Sequence, residues 1–345
     1  METPKRILIT RTDRLGDVVL STPVIRHLRR LYPDAYIAMM VKPGNRDVVS
    51  SDGHLNEVIT YDKYGSDRGL WGMLRFSSRI RGRRFDTAIA LHPTNRAHMI
   101  LFLAGIPRRI GYDRKMPFLL SERYPHTKQE GKMHEVDYNF DLLSRAGFDT
   151  RGAERKPHIY TSQEDRVLVD RIMSERGIRK DFIAVHPGSS CPSKRWPPER
   201  FAEVANTLTL RTGAQIVLVG GGETEEFSAR VLSGTSGSAV DLTGMLTLGE
   251  LAELLSRSRL FISNDSGPVH VAVAVNTPCV VVFGRKDPGL SPLRWGPRGE
   301  GDRIHHKDTG CDVCLAHECV RGFACINAVT SDEVITSAIS ILEGK

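Results

Sequence analysis

Four short stretches of this chain gather acids, hydroxyls, cations and glycines directly after apolar runs, and each suits a different chemical task. The first is Arg11-Thr-Asp-Arg-Leu-Gly-Asp17, which follows Ile7–Thr10. With one glycine, Gly16, it is neither a GxxxxGK[ST] phosphate loop nor a GxGxxG dinucleotide fingerprint. Asp17 beside that glycine fits two roles. It can cap a helix, where free N–H groups stabilise an anion. It can also act as a general base, provided its pKa is raised toward the working pH.

The second stretch is His186-Pro-Gly-Ser-Ser-Cys-Pro-Ser-Lys-Arg-Trp-Pro-Pro-Glu199. Ser189 and Ser190 offer hydroxyls and Lys194 a cation, a set that suits a diphosphate; a solvated basic loop is the plain alternative. The third, Gly220-Gly-Gly-Glu-Thr-Glu-Glu226, lets a ligand approach the backbone. There Glu225 or Glu226 could accept from ribose hydroxyls or an adenine amine, or simply serve as helix-start acids. The fourth, Ser263-Asn-Asp-Ser-Gly-Pro-Val-His270, precedes the apolar helix Val269–Val275. Asp265, Ser266 and Gly267 sit where helix N–H groups point outward, an anion site in waiting. His270 lies one turn in, at the same end.

These loops need strands that stop where they begin. Runs of strand length occur at Ile7–Thr10, Tyr36–Val41, Val58–Tyr61, Asp86–Leu91 and Arg109–Tyr112, then at Phe182–His186, Gln215–Val219, Val240–Leu242, Leu260–Ser263 and Cys279–Phe283. Amphipathic stretches such as Val24–Tyr32, Phe201–Leu210 and Leu248–Leu255 alternate with them. Alternation of this kind implies parallel sheets covered by helices on both faces. Ten strands in two sets of five predict an α/β protein of two doubly wound, Rossmann-like domains, with ligands beyond the carboxyl ends of the strands in a cleft that the domains face. The expected division is 1–160, a linker helix over 161–180, a second domain over 181–328, and a terminal helix over 329–345. Ser331-Asp-Glu opens that last helix, which is free to pack back on the first domain.

Composition narrows the partners. The net charge of +7 is uneven: residues 1–160 hold 28 Lys+Arg against 18 Asp+Glu, and the remainder 20 against 23. A basic first half suits an anionic partner. Aromatics are only 7 % and are not interleaved with the basic runs, which argues against nucleic acid. No apolar run reaches the ~18–20 residues of a membrane span, so a cytoplasmic protein is expected, meeting a membrane only at its surface, and a monomer. Cys311, Cys314, Cys319 and Cys325 read as buried thiols before a metal site, since zinc wants two well-separated CxxC pairs and only one is present.

Taken together the segments ILITRTDRLGDVVLSTP, HPGSSCPSKRWPPERFAEVA, LVGGGETEE, DLTGMLTLGELAELL and SNDSGPVHVAVAVNTPCVVVFG resemble the bacterial heptosyltransferases of lipopolysaccharide core synthesis, in glycosyltransferase family nine. The SNDSG-x2-H core is the most specific of them. The resemblance implies a GT-B fold and an inverting, metal-independent transfer of L-glycero-D-manno-heptose from ADP-heptose to the lipid A–inner core at the inner leaflet, with no cofactor. It implies Asp17 as catalytic base. Donor contacts would come from Ser189, Ser190, Lys194, Glu225, Asp265, Ser266, Gly267 and His270. The acceptor would meet Arg11, Asp13, Arg14 and Arg96, with His92–Arg96 and Lys128–His134 as further contact loops. Another nucleotide sugar or glycan acceptor is the nearest alternative, and a non-catalytic sugar-nucleotide binder a remote one. A nicotinamide dehydrogenase would need the GxGxxG that both glycine-bearing loops lack.

Overall fold

The computed structural model describes residues 3–237, 239–311 and 317–344. The chain forms two compact units, Met1–Gln129 with Glu135–Tyr160, and Glu130–His134 with Thr161–Lys345. The first is built on β1 (Arg6–Thr10), β2 (Tyr36–Val41), β3 (Glu57–Thr60), β4 (Thr87–Ala90), β5 (Arg108–Tyr112) and β6 (Glu122–Tyr124), in the order β3-β2-β1-β4-β5-β6. The second is built on β7 (Phe182–His186), β8 (Gln215–Leu218), β9 (Val240–Asp241), β10 (Phe261–Asn264), β11 (Cys279–Phe283) and β12 (Arg303–His306), in the order β12-β11-β10-β7-β8-β9. Counted within its own unit, each sheet has the same order, 3-2-1-4-5-6 in one direction or the other. Strand pairing is parallel throughout the described residues.

The central strands are mostly apolar because both faces are covered, with their polar residues mainly at the strand ends. Leu8, Ala38, Met40 and Ala88 meet Phe76 and Ile80 of the helix Gly69–Gly82. On the second sheet, Ile183, Val185, Ile262 and Val280 meet Phe201 and Leu208 of the helix Pro198–Thr212. Each such side chain contributes roughly 2 kcal/mol on burial. All ten expected strands are present. The two unforeseen ones, β6 and β12, are at one edge of each sheet and read ERY and RIHH, partly or fully exposed and polar, so no apolar run announces them.

The terminal helix Ser331–Leu342, expected to be free to pack on the first domain, belongs to the second unit, where Val334, Ile335, Ala338 and Ile339 complete the core. Its cap is Thr330, one residue earlier than read from sequence, in a capping box with Glu333. The Trp196 indole N–H donates to the Val329 carbonyl at 3.0 Å, tying the helix start to the loop after β7. The segment expected as a linker forms the helix Gln163–Glu175, which belongs to the second unit, and Thr161 Oγ1 there donates to Glu253 Oε2 at 2.7 Å.

Candidate active site

In a doubly wound sheet, the crevice for a ligand opens where strand order reverses, beyond the carboxyl ends. In the first unit that point lies between β1 and β4, whose following residues are Arg11–Asp17 and Leu91–His92. In the second it lies between β7 and β10, followed by Pro187–Trp196 and Asp265–Gly267. Topology therefore selects three of the four stretches singled out by their chemistry.

After β1 the chain turns into the short helix Leu15–Val19, whose N-cap is Arg14, without a side-chain capping bond. Asp17 is inside that helix, so the capping role is set aside. Its carboxylate instead meets Arg11, whose Nη2 donates to Asp17 Oδ1. Arg11 is only 1 % exposed and is held on every side. Nε donates to Asp13 Oδ1 and Nη2 to Glu135 Oε1, each at 2.9 Å, while Nη1 donates to Asn139 Oδ1 and the Leu91 carbonyl, each at 3.3 Å. Lys128 joins from the other side, its Nζ 2.6 Å from Glu135 Oε1. His92 Nδ1 lies 3.2 Å from Asp13 Oδ2.

Three carboxylates thus share the charges of Arg11 and Lys128 in a largely dry setting. Burial, reinforced by the negative charge of Asp13 and only partly offset by Arg11, raises the Asp17 carboxyl to about 6. Desolvation and the nearby Arg11 push His92 down to about 4, so it is neutral at physiological pH. A carboxylate with a pKa near 6 at the mouth of a crevice is a competent base for a hydroxyl.

The second unit's loops are joined mainly by neutral hydrogen bonds. Asn264, at the end of β10, donates from Nδ2 to the Pro187 carbonyl at 2.7 Å and accepts from the Trp196 backbone N–H at 3.0 Å. His186 Nδ1 lies 3.2 Å from Ser263 Oγ and 3.3 Å from Ser266 Oγ. Burial lowers His186 to about 4, leaving a neutral ring that can only share protons with these hydroxyls. Lys194 Nζ lies 2.6 Å from Asp265 Oδ2, a close ion pair that is not aligned as a hydrogen bond. Ser266 is the N-cap of the helix Gly267–Ala274, and its side chain makes no capping bond; Pro268 has no N–H and the Val269 N–H donates to the Ser266 carbonyl at 3.3 Å, so the Gly267 N–H is the one left at the helix start. Among the described residues the Ser189 hydroxyl is buried without a hydrogen-bond partner. A cation, a backbone N–H and a spare hydroxyl are groups that suit phosphate oxygens.

Of the other residues read as donor contacts, Ser190 and Glu225 are exposed, and Glu225 is the first residue of the helix Glu225–Gly234. His270 is buried in the helix that Ser266 caps. The glycines do less for a ligand than expected. A Cβ on Gly188 would sit 2.0 Å from Thr224 Cγ2, and one on Gly220 2.2 Å from Thr224 Oγ1, so both glycines admit Thr224 between the loops after β7 and β8.

On the acceptor side, Arg14 is exposed and Arg96 Nη1 donates to the Tyr61 hydroxyl at 3.0 Å. Arg11, Asp13 and Lys128 depart from expectation. Arg11 and Lys128 are buried and committed to carboxylates, and Asp13 is occupied by Arg11 and His92, so they set the charge around Asp17 and are not placed to reach an acceptor. Glu135 and Asn139 went unread. Both are fully buried, on the same face of the helix Glu135–Arg145 as Leu142 and Leu143. A Glu and an Asn on an apolar stripe were the available signal.

For metals, Cys311, Cys319 and Cys325 form no disulfide among the described residues, and Cys314 lies outside them. Among the described residues, Asp52, His54 and His158 bring ligand atoms within 4.8 Å of one another. Asp52 is engaged by both rings, at 2.8 and 3.0 Å, and lies ahead of β3, at the end of the sheet opposite Asp17. It reads as a clasp on the segment around His158.

A sequence profile of glycosyltransferase family 9 (heptosyltransferase) matches residues 73–324. Lipopolysaccharide heptosyltransferase 2 of Salmonella typhimurium is 27 % identical over 297 residues, 83 % of this chain and 85 % of its own. The crystal structure of the glycosyl transferase family 9 from Veillonella parvula superposes with a TM-score of 0.88 at 26 % identity, covering 100 % of this chain and 99 % of that one. The E. coli ADP-heptose lps heptosyltransferase II shares the fold with a TM-score of 0.80 at 24 % identity, over 98 % and 99 % of the two chains. With two Rossmann-like units of the GT-B kind and a family profile over most of its length, the chain belongs to glycosyltransferase family 9, the heptosyltransferases.

Proposed function

We propose that this enzyme transfers a heptose from ADP-heptose to the inner core of a lipopolysaccharide acceptor, with inversion at the anomeric carbon. The observation that carries the reading is Asp17, a carboxyl held near 6 at the switch point of the first sheet. Asp17 takes the proton of the acceptor hydroxyl as that oxygen attacks C1 of the donor sugar. The bond from C1 to the diphosphate breaks, and the diphosphate leaves with the electron pair. Lys194, the Ser189 hydroxyl and the Gly267 N–H receive its charge, with His270 alongside. Glu225 serves the nucleoside. Arg14 and Arg96 meet acidic groups of the acceptor.

The relatives' names support this donor and acceptor, as does the basic first half of the chain. Among the described residues no helix is long and apolar enough to cross a membrane, so the lipid acceptor is reached from a surface, which we assign to the cytoplasmic face of the inner membrane. The test is turnover of ADP-heptose on a heptose-deficient lipid acceptor, with product anomeric configuration read by NMR. Transfer from a different nucleotide sugar alone would overturn the donor. A retained configuration would overturn the single displacement. Activity of Asp17→Ala close to that of the unaltered chain would remove the base.

A further inference from the structure

One short segment carries more than half of the positive surplus of residues 1–160. Residues 63–84 hold seven Lys and Arg against one Asp, in a protein whose total is +7. The same segment exposes Trp71 by 82 %, Tyr64 by 80 % and Leu70 by 60 %. We propose that this patch, the loop after β3 and the outward face of the helix Gly69–Gly82, docks the enzyme on a membrane surface rich in anionic lipid. The proposal rests on the reading of a lipid-borne acceptor.

The apolar side chains are presented by a built loop. Asp62 and Asp67 close it: the Asp67 N–H donates to the Asp62 carbonyl at 2.9 Å and the Asp62 N–H to Asp67 Oδ2 at 3.0 Å. Gly72 lets the helix lie against that turn, since a Cβ there would be 2.4 Å from the Asp67 carbonyl carbon. Within the helix, Met73, Phe76 and Ile80 face the sheet, which leaves Trp71, Arg75 and Arg79 as an outward stripe at a spacing of four. An indole and a leucine at one end of a cationic stripe match the apolar and charged layers of a lipid interface.

The charge is mostly uncompensated. Arg79 is paired with Asp67 and Arg83 with Glu57. Among the described residues Lys63, Arg68, Arg75, Arg81 and Arg84 have no carboxylate partner; Arg75 and Arg81 donate to backbone carbonyls, which leaves their charge intact. The patch also begins at the functional edge of its sheet. Tyr61, directly after β3, receives the Arg96 hydrogen bond, at the carboxyl end where β1 delivers Asp17. A lipid anchor held there keeps its sugar head near the base. The commitment to lipid over a protein partner comes from the charge, which has the sign and density that anionic headgroups attract.

The experiment is co-sedimentation of the full chain with vesicles of phosphatidylcholine, with and without phosphatidylglycerol. Binding is expected only with the anionic lipid, and weakens as salt shortens the screening length. Leu70→Ser/Trp71→Ser should lower partition about tenfold, and Arg68→Glu/Arg75→Glu by about as much at low salt. Both leave Arg79 and Arg83 paired, and circular dichroism checks folding. Equal sedimentation of these variants and the unaltered chain overturns the proposal. So does self-association of the unaltered chain, abolished by Leu70→Ser/Trp71→Ser, with no vesicle binding. A lipid-free, water-soluble core acceptor separates the two readings: both variants should turn it over within about twofold of the unaltered chain. If the unaltered chain binds vesicles but transfers nothing to that acceptor, the proposed transfer fails and the docking stands.

Discussion

The two units share a strand order and a place for their ligands, yet fill that place with opposite chemistry. At the first switch point five charged groups, Arg11, Asp13, Asp17, Lys128 and Glu135, are packed into a largely dry cluster. At the second, the loops are fastened by Asn264, His186, Ser263 and Ser266, all neutral, and carry one ion pair, Lys194 with Asp265. The difference follows from the tasks. Removing a proton near neutral pH requires a carboxylate whose ionisation has been made harder, which takes burial and neighbouring negative charge. Receiving a diphosphate requires donors that are oriented but not consumed, and a dense charge cluster would consume them.

If that division holds, the largest single effect comes from the carboxylate. Asp17→Ala should lower kcat by about 10³-fold or more, with the donor KM little changed, because the base acts on the acceptor in the transition state. Steady-state kinetics with ADP-heptose in excess reads both constants. A rise in donor KM with kcat preserved would move Asp17 to the binding side and erase the contrast between the units.

Next comes Glu135→Gln. It leaves Arg11 and Lys128 sharing fewer carboxylates in the interior, and breaking a buried pair costs about 3–5 kcal/mol. The expected loss of stability, read by denaturant titration, is at the lower end because Gln keeps the shape. The pH profile carries a second and more specific sign. The charge of Glu135 is among the groups that raise Asp17, so its removal lowers that pKa. The acid limb of kcat/KM, set near 6 by Asp17 in the unaltered chain, should shift toward lower pH. A limb that stays put, or shifts upward, would show that Glu135 only holds the fold.

How much of this was legible in advance depended on burial. Most of the ten expected strands were readable because a parallel strand covered on both faces is largely apolar, as in Cys279–Phe283. Asp17, Lys194, Asp265 and Ser266 were singled out because each follows a strand in the chain, and the structure sets them beyond the switch-point strands. Arg11 was noticed but assigned outward, since nothing in its immediate neighbours shows that Glu135, far away in sequence, will enclose it. Gly220 was read for a ligand's approach, whereas Thr224 fills the space above it and above Gly188. Tertiary partners decide such cases, and they leave a trace only where a polar residue lies on an apolar stripe, as Glu135 and Asn139 do.

Lys194→Ala addresses the second unit. Loss of a cation that meets the departing diphosphate should lower kcat/KM about 10²-fold, with ADP binding by calorimetry weakened about tenfold. Asp265 then keeps a buried carboxylate without its cation, so Lys194→Ala/Asp265→Asn serves as the control that separates lost catalysis from local strain. If the double variant regains the rate, Lys194 acts by neutralising Asp265 and the phosphate receptor is something else.

The smallest effect tests the contrast most directly, because its two signs oppose each other. Ser189 Oγ is buried and has no partner among the described residues. An unsatisfied buried hydroxyl is destabilising, so Ser189→Ala should leave the ligand-free protein as stable as before, or more stable by up to about 1 kcal/mol. In the donor complex the same hydroxyl donates to a phosphate oxygen, so its loss should raise the donor KM about five- to tenfold. Thermal melts with and without ADP separate the two: the variant melts no lower alone, and gains less from the nucleotide. In the first unit no such split is available, since Arg11, Glu135 and Lys128 are committed to one another before any ligand arrives. A Ser189→Ala protein that lost stability and kept its donor KM would mean the second unit is built like the first, with its polar groups serving the fold.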